Sequence, residues 1–135
     1  MIQGKITGSF PIKDSERALA TISKIETMID CIPGATRSGD KTFKVQAKVA
    51  LLTITLEGEV KEFVVADNVV RNVISVRGPG VNATVSSQLT VNTNNLEYQI
   101  EYKAEVSQVL EGIVKREIDK VSNEIVQCTR RRVTG

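Results

Sequence analysis

The sequence predicts an α+β protein in which one curved antiparallel sheet packs against one long C-terminal helix. Over residues 106–132, apolar residues recur at three- and four-residue steps, which indicates an amphipathic helix of about seven turns whose buried face is widened by Val109, Ile113 and Cys128. From residue 42 onward, apolar and polar residues alternate with a period of two, which is typical of strands with one buried face. The connections between these strands have hairpin length, which favours antiparallel pairing. Because only one long helix is available to cover the buried face, we expect the sheet to curl around it.

The composition is that of a soluble globular protein. The chain has 135 residues, of which 25% are charged and 41% are hydrophobic, and its formal net charge is +2. This length predicts a single domain over residues 1–135, and the small net charge predicts no nucleic-acid partner. The longest apolar runs are far shorter than the roughly 20 residues of a membrane-spanning helix, and Met1 leads into a strand pattern instead of a signal peptide. We therefore expect a cytoplasmic protein.

The chain contains no histidine and only two cysteines, Cys31 and Cys128. This excludes the commonest zinc, haem and general-base sites, so we predict no metal and no cofactor. Two cysteines are too few for a disulfide framework, and a small buried packing residue is the favoured interpretation of each. Cys31 follows a predicted helix end, where the helix dipole disfavours a thiolate, so a reactive thiol is the less favoured alternative.

The first strand and two short helices come before the main sheet pattern. The strand alternates over residues 2–10, contains two glycines that allow close approach, and ends at Pro11. Asp14 or Ser15 can cap the first short helix. A second short helix follows at about residues 24–31, after which a proline-glycine pair stops helix formation.

Five further strands follow, each with one wet face and one dry face. Hairpin signals separate them at Asp67-Asn68 and at Gly78-Pro79-Gly80. The resulting order is strand, two short helices, five strands and one long helix, written β-α-α-β-β-β-β-β-α. The predicted strands cover residues 42–49, 54–61, 74–77, 81–91 and 96–105.

Several short motifs carry a family resemblance that extends over essentially the whole chain. The most specific part is the Cys-Ile-Pro-Gly turn at its distance from the Phe-Pro pair. Together the motifs resemble the family of the carbon monoxide dehydrogenase G subunit (CoxG), which is part of the START-like, or SRPBCC, superfamily. The motifs are Phe10-Pro11, Cys31-Ile32-Pro33-Gly34, Gly39-Asp40, Phe43-Lys44-Val45 and Leu56-Glu57-Gly58-Glu59-Val60.

This resemblance implies the helix-grip fold, with an apolar cavity between the sheet and the long helix. It also implies a non-catalytic role beside a molybdenum hydroxylase complex, such as a molybdenum-containing CO dehydrogenase. In that family, such proteins are associated with enzyme maturation, membrane attachment and lipophilic quinones. Two departures matter: Ala18-Leu19 stand where relatives commonly carry an aromatic residue, and the chain stops at Gly135 without the hydrophobic tail of some relatives. We therefore expect no permanent membrane anchor.

The leading functional hypothesis is a non-enzymatic protein that binds a lipophilic small molecule, a quinone or a lipid. Aromatic residues make up only 4% of the chain and tryptophan is absent, so aliphatic side chains would line the space. The alternative is an assembly or interaction factor with a filled core. The alternation of apolar and polar residues shows that one face of a strand is buried, but it does not show that this face borders a cavity. The predicted cavity walls are Phe43, Val45, Ile54, Leu56, Ile74, Val85, Leu89, Ile100, Tyr102, Leu110 and Val114.

A third hypothesis is a cyclase- or hydrolase-type enzyme on the same scaffold. Its only plausible polar groups are Tyr98, Tyr102 and Glu117, because the other glutamates considered fall on the wet faces of the strands. The tyrosine hydroxyls would contact a ligand's carbonyl or headgroup. The alternative, which we favour, is that they bond to backbone or water at the cavity edge.

Three consecutive arginines, Arg130, Arg131 and Arg132, end the long helix. Cations at a helix C-terminus complement the helix dipole and stay solvated, which is the commoner role. The alternative is a transient contact with an acidic partner or with an anionic membrane surface, where each cation contributes about 1 kcal/mol. Such a contact would make the protein peripheral at the membrane.

Overall fold

Seven strands and three α-helices make up the part of the chain that this computed structural model describes, residues 1–49 and 51–134. The helices are α1 (Ser15–Ile22), α2 (Ile25–Asp30) and α3 (Glu111–Thr134), and a 3₁₀ turn over Gln108–Leu110 precedes α3. The strands are β1 (Ile2–Pro11), β2 (Ala35–Arg37), β3 (Thr42–Val49), β4 (Leu52–Ala66), β5 (Val69–Gly78), β6 (Val81–Val91) and β7 (Asn95–Val106).

All neighbouring strands are antiparallel, and their spatial order is β1-β7-β6-β5-β4-β3-β2. The predicted fold class is confirmed: a curved antiparallel sheet holds a long C-terminal helix. The structure adds the three-residue strand β2, which pairs with β3 through Ala35 and Val45. The sequence pattern did not indicate β2 because three residues are too few to show an alternation. β4 has an irregularity between Val60 and Glu62 that shifts its register against β5.

The two short helices begin and end where local chemistry requires it. The Asp14 side chain accepts a hydrogen bond from the backbone N–H of Arg17 at 3.1 Å, which caps α1 as predicted. After α2, Gly34 has a φ of +75°, a conformation that glycine adopts without steric cost. The chain then turns directly into β2.

The buried side chains form three groups between the sheet and the helices. The first brings Ala18 of α1 against Leu96 of β7, and the second brings Ile29 of α2 against Phe43 of β3. The third holds Val114 of α3 over the β6 and β7 strands. α3 contributes to all three groups, whereas α1 contributes to the first and α2 to the second.

Two residues predicted to widen the buried face of α3 do not do so. Val109 is 89% exposed and Ile113 is 42% exposed. Val109 lies in the 3₁₀ turn, whose three residues per turn do not continue the α-helical spacing. Ile113 lies one residue, or about 100°, around the helix from the buried Val114, which places it at the rim. The buried face of α3 is formed by Val114, Ser122, Val126 and Val133.

The interpretation of the two cysteines as separate packing residues was wrong. Cys31 and Cys128 form a disulfide, with a Cα–Cα distance of 5.5 Å. Cys31 follows the last residue of α2, and Cys128 lies on the side of α3 that faces it. The number of cysteines in the sequence does not reveal that α2 packs beside α3, which is the relationship that brings the two sulfurs together.

Candidate functional site

A cavity of about 60 Å³ lies between the concave face of the sheet and the helices. The sheet provides the floor from β1, β5, β6 and β7, and all three helices provide the roof. The floor residues are Phe10, Asn72, Ser87, Leu89, Tyr98 and Ile100, and the roof residues are Ile22, Thr27, Met28, Ile125, Val126 and Thr129.

Of the eleven predicted wall residues, the structure places Leu89 and Ile100 on this cavity. The others are spread along the concave face and the helix. Alternation identifies which face of a strand is buried, but it does not show where along that face the space is left unfilled. Phe43, Val45, Leu56, Ile74 and Val85 belong to the second buried group, Leu110 and Val114 to the third, and Ile54 is half-buried on β4.

The space exists because small side chains occupy the middle of the floor. Ser87 pairs with Asn72 on one side and with Ile100 on the other, so a short hydroxymethyl group stands at the centre of this row. The Tyr98 ring lies over Gly8 on the neighbouring strand, where a Cβ atom would come within 2.3 Å of the phenolic oxygen. Thus Gly8 allows the tyrosine to lean across β1 instead of standing up into the cavity.

The polar part of the lining is neutral. Asn72 is only 6% exposed, although it lies on the apolar face of β5, and Ser87 is its cross-strand partner. The Thr129 hydroxyl donates to the Ile125 carbonyl at 2.8 Å, so its proton is already engaged within α3. Apart from the phenol of Tyr98, none of the lining residues is ionisable. The cavity is therefore suited to an uncharged molecule with a small polar group.

Asn72 and Ser87 were not predicted from the sequence, although a signal was present. Both fall on the dry phase of their strands, two residues from Ile74 and from Leu89 respectively. A polar residue on the dry face of one strand is an exception to the pattern. Two such residues on adjacent strands are candidates for a shared polar site. Their register across β5 and β6, which only the structure shows, brings them together.

Tyr102 has a different role from the one predicted for it. Its ring is buried, and its hydroxyl donates to Asp119 Oδ1 at 2.9 Å and accepts from Lys115 Nζ at 3.1 Å. The Lys115 ammonium also lies 5.6 Å from the centre of the ring. Burial raises the pKa of the Tyr102 hydroxyl, and the hydrogen bond to Tyr102 raises the pKa of Lys115. These contacts hold the first half of α3 on β7.

The three polar groups named for an enzyme do not share one site. Tyr98 lines the cavity, whereas Tyr102 and Glu117 are not among its lining residues. Glu117 is half-buried on α3, and the Tyr102 hydroxyl already has two partners. The described residues therefore place no acid-base pair around this space.

The three arginines at the end of α3 are all exposed. The Arg130 guanidinium lies 5.8 Å from the centre of the Phe10 ring, which gives this side chain a structural contact near the cavity. Arg131 and Arg132 extend from the last turns of the helix, where their charges complement the dipole. Contact of Arg130, Arg131 and Arg132 with a membrane or partner stays a prediction.

Comparison with known proteins identifies the family. The family model that describes the G subunit of carbon monoxide dehydrogenase (CoxG) matches residues 8–134. The chain belongs to the CoxG family. None of the curated proteins matches the sequence. The resemblance found in the Phe-Pro and Cys-Ile-Pro-Gly motifs is thereby confirmed.

Solved structures similar to this CoxG chain show the same fold at low sequence identity. A START superfamily protein from Mycobacterium smegmatis has a TM-score of 0.62 and 12% identity, covering 96% of each chain. The Zhui aromatase/cyclase from a Streptomyces species has a TM-score of 0.64 and 10% identity, covering 99% of this chain and 98% of that one. A conserved protein from Geobacillus kaustophilus has a TM-score of 0.63 and 14% identity, with 98% and 92% covered.

These likenesses establish the START-like fold for the CoxG chain, and they include an enzyme. The scaffold is of a ligand-binding type, and an aromatase/cyclase is among the proteins that share this architecture. Within residues 1–49 and 51–134, no helix is both long enough and apolar enough to cross a bilayer.

Proposed function

We propose that this CoxG-family protein is a non-enzymatic binding protein that holds a lipophilic molecule, a quinone or a lipid, between the sheet and α3. The observation that carries the proposal is the cavity lined by Leu89, Ile100 and Val126 with a single buried amide at Asn72. The scarcity of ionisable groups around the cavity supports binding over catalysis, because acid-base chemistry needs titratable groups beside the substrate.

The size of the cavity determines how such a ligand would sit. A volume of about 60 Å³ is well below the roughly 300 Å³ of a typical ligand pocket. It accommodates one end of a molecule, such as part of a ring or a small headgroup, and the remainder must lie outside or displace a helix. Among the helices of the roof, α2, which contributes Thr27 and Met28, is the shortest.

The small volume also supports the second candidate, an assembly or interaction factor with a filled core. In that case the side chains around Ile100 form ordinary packing, and the protein acts through its surface, including the exposed Arg131 and Arg132. Under either candidate we propose a molybdenum hydroxylase complex as the partner, which rests on membership of the CoxG family. We also propose a cytoplasmic location, with peripheral contact at the membrane through the arginines.

Native mass spectrometry of the purified protein, with organic extraction of anything that travels with it, separates the two candidates. The binding hypothesis predicts a co-purifying lipophile, or a melting temperature that rises with the concentration of added menaquinone or phospholipid. If the protein carries no lipophile and its melting temperature does not change when menaquinone or phospholipid is added, the result would support the assembly-factor hypothesis. Capture of a molybdenum hydroxylase by wild-type protein, but not by the double variant R131E/R132E, would then identify the interacting surface.

A further inference from the structure

We propose that Asn72 and Ser87 form a polar anchor that selects ligands carrying one neutral carbonyl or hydroxyl group on an otherwise apolar body. This inference rests on the proposed binding function and specifies the chemistry of the ligand's inner end. Asn72 carries the only side-chain amide among the buried residues that the structure describes. It stands on β5 with the buried Val70 and Ile74 on either side of it on the same face.

Asn72 places an amide where the pattern of β5 predicts an apolar side chain. Asparagine is disfavoured in strands, and burying an amide without a hydrogen-bond partner is unfavourable. Among the described residues, no hydrogen bond occupies its side-chain amide, and no fully buried side-chain polar atom lacks a partner. The Asn72 amide therefore remains accessible to a small molecule through the cavity that it lines. An apolar residue at this position would complete the core, whereas asparagine leaves a donor and an acceptor at the cavity floor.

The chemistry of the floor defines the ligand class. The Asn72 amide donates from Nδ2 and accepts at Oδ1, so it can bond either to a carbonyl oxygen or to a hydroxyl group. The Ser87 hydroxyl, in register across the strands, supplies a second donor or acceptor. With no positive charge among the lining residues, a carboxylate or phosphate would be desolvated without compensation. A neutral ketone, quinone or alcohol is the class that fits.

The test uses two probes of nearly the same shape, acetophenone and ethylbenzene, which differ by a carbonyl in place of a methylene. Binding to the wild-type protein is followed by NMR titration of backbone and side-chain amides. For Asn72→Leu, we expect the Kd of acetophenone to rise about tenfold, because one hydrogen bond of about 1.4 kcal/mol is lost. The Kd of ethylbenzene should stay the same or fall. Asn82→Leu, at an exposed position of β6, is the matched control and should change neither Kd.

The outcomes separate failure of the Asn72 anchor from failure of the binding function. If neither probe binds the wild-type protein, both the binding function and the anchor are overturned. If both probes bind and Asn72→Leu leaves the ratio of their Kd values unchanged, the anchor is overturned while the binding function stands. If Asn72→Leu does not fold, the NMR signals of the Asn72 side-chain amide in the wild-type protein test the anchor instead. The anchor requires that acetophenone shift them more than ethylbenzene does, and equal shifts would overturn it.

Discussion

The sulfur atoms of Cys31 and Cys128 are bonded, which joins the end of α2 to α3 across a sequence separation of 97 residues. Both helices contribute residues to the roof of the cavity, Met28 from α2 and Val126 from α3 among them. The bond therefore limits how far these two helices can separate. It also closes a long loop, which is the situation in which a cross-link most restricts the unfolded chain.

We predict that replacing both cysteines by serine lowers the free energy of unfolding by about 2 to 5 kcal/mol. Urea denaturation of the oxidised wild type and of C31S/C128S measures the difference. A reductant should destabilise the wild type to the level of the variant and leave the variant unchanged. Two reactive thiols per chain in denatured protein purified without reductant would contradict the bond. Because disulfides persist mainly in oxidising compartments, thiol trapping in cells also tests the predicted cytoplasmic location.

Two glycines of β1 make room for the tyrosine rings of β7. A Cβ atom at Gly4 would lie 2.5 Å from the Tyr102 ring, and one at Gly8 would lie 2.3 Å from the Tyr98 oxygen. We expect Gly4→Ala and Gly8→Ala each to lower the free energy of unfolding by about 1 to 3 kcal/mol, because the rings must move. Thermal and urea denaturation measure this.

Gly112→Ala is the matched control for these two variants. Gly112 lies in the first turn of α3, where an added Cβ atom would have no neighbour within 4 Å outside the helix backbone. Alanine there should stabilise the protein by up to about 1 kcal/mol, since glycine is a poor helix former. If all three variants are equally stable, the packing of the tyrosine rings does not require the glycines of β1.

The cavity itself can be tested by adding volume at two positions. Ile100 lines the cavity, whereas Leu110 packs against the third buried group and does not. We expect Ile100→Phe to cost less than about 1 kcal/mol of unfolding free energy and to abolish binding of acetophenone, because the ring fills the space. Leu110→Phe should destabilise by about 1 to 3 kcal/mol through overpacking and leave the Kd unchanged. Equal destabilisation by both variants would support a filled core.

The hydroxyl of Tyr102 contributes to stability through its bonds to Asp119 and Lys115. We expect Tyr102→Phe to lower the free energy of unfolding by about 0.5 to 1.5 kcal/mol at neutral pH. Urea denaturation measures this loss. Retention of ligand binding by the variant would agree with a position outside the cavity.

The same contacts predict a pH dependence in the alkaline range. Burial raises the pKa of Tyr102 above its ordinary value of 10.0, and the hydrogen bond to Tyr102 raises the pKa of Lys115 above 10.5. In both cases the folded state holds its proton more tightly than the unfolded state. The contribution to stability is therefore complete below pH 10 and is lost as the pH rises through the folded-state pKa values. Urea denaturation between pH 9 and 11 should show a steeper fall for wild type than for Tyr102→Phe.

The sequence predicted the sheet, its buried face and the long helix because these depend on local periodicity. A strand repeats every two residues and an α-helix every 3.6, so the pattern around Ile100 or around Val114 shows which side is buried without knowledge of any partner. Where the local geometry changed, the prediction failed. Val109 was assigned to the helix stripe, but the 3₁₀ turn points it into solvent.

Tertiary structure alone decided where the candidate site lies. The pairing of Asn72 with Ser87 depends on strand register, and the unfilled space above them depends on where α2 and α3 cross the sheet. The bond between Cys31 and Cys128 likewise joins residues that only packing brings together. Periodicity is a property of neighbouring residues, whereas a cavity, a cross-strand pair or a disulfide is a relationship between distant ones. The sequence by itself therefore determined the family and the buried surfaces, and the folded chain determined which parts of those surfaces border an unfilled space.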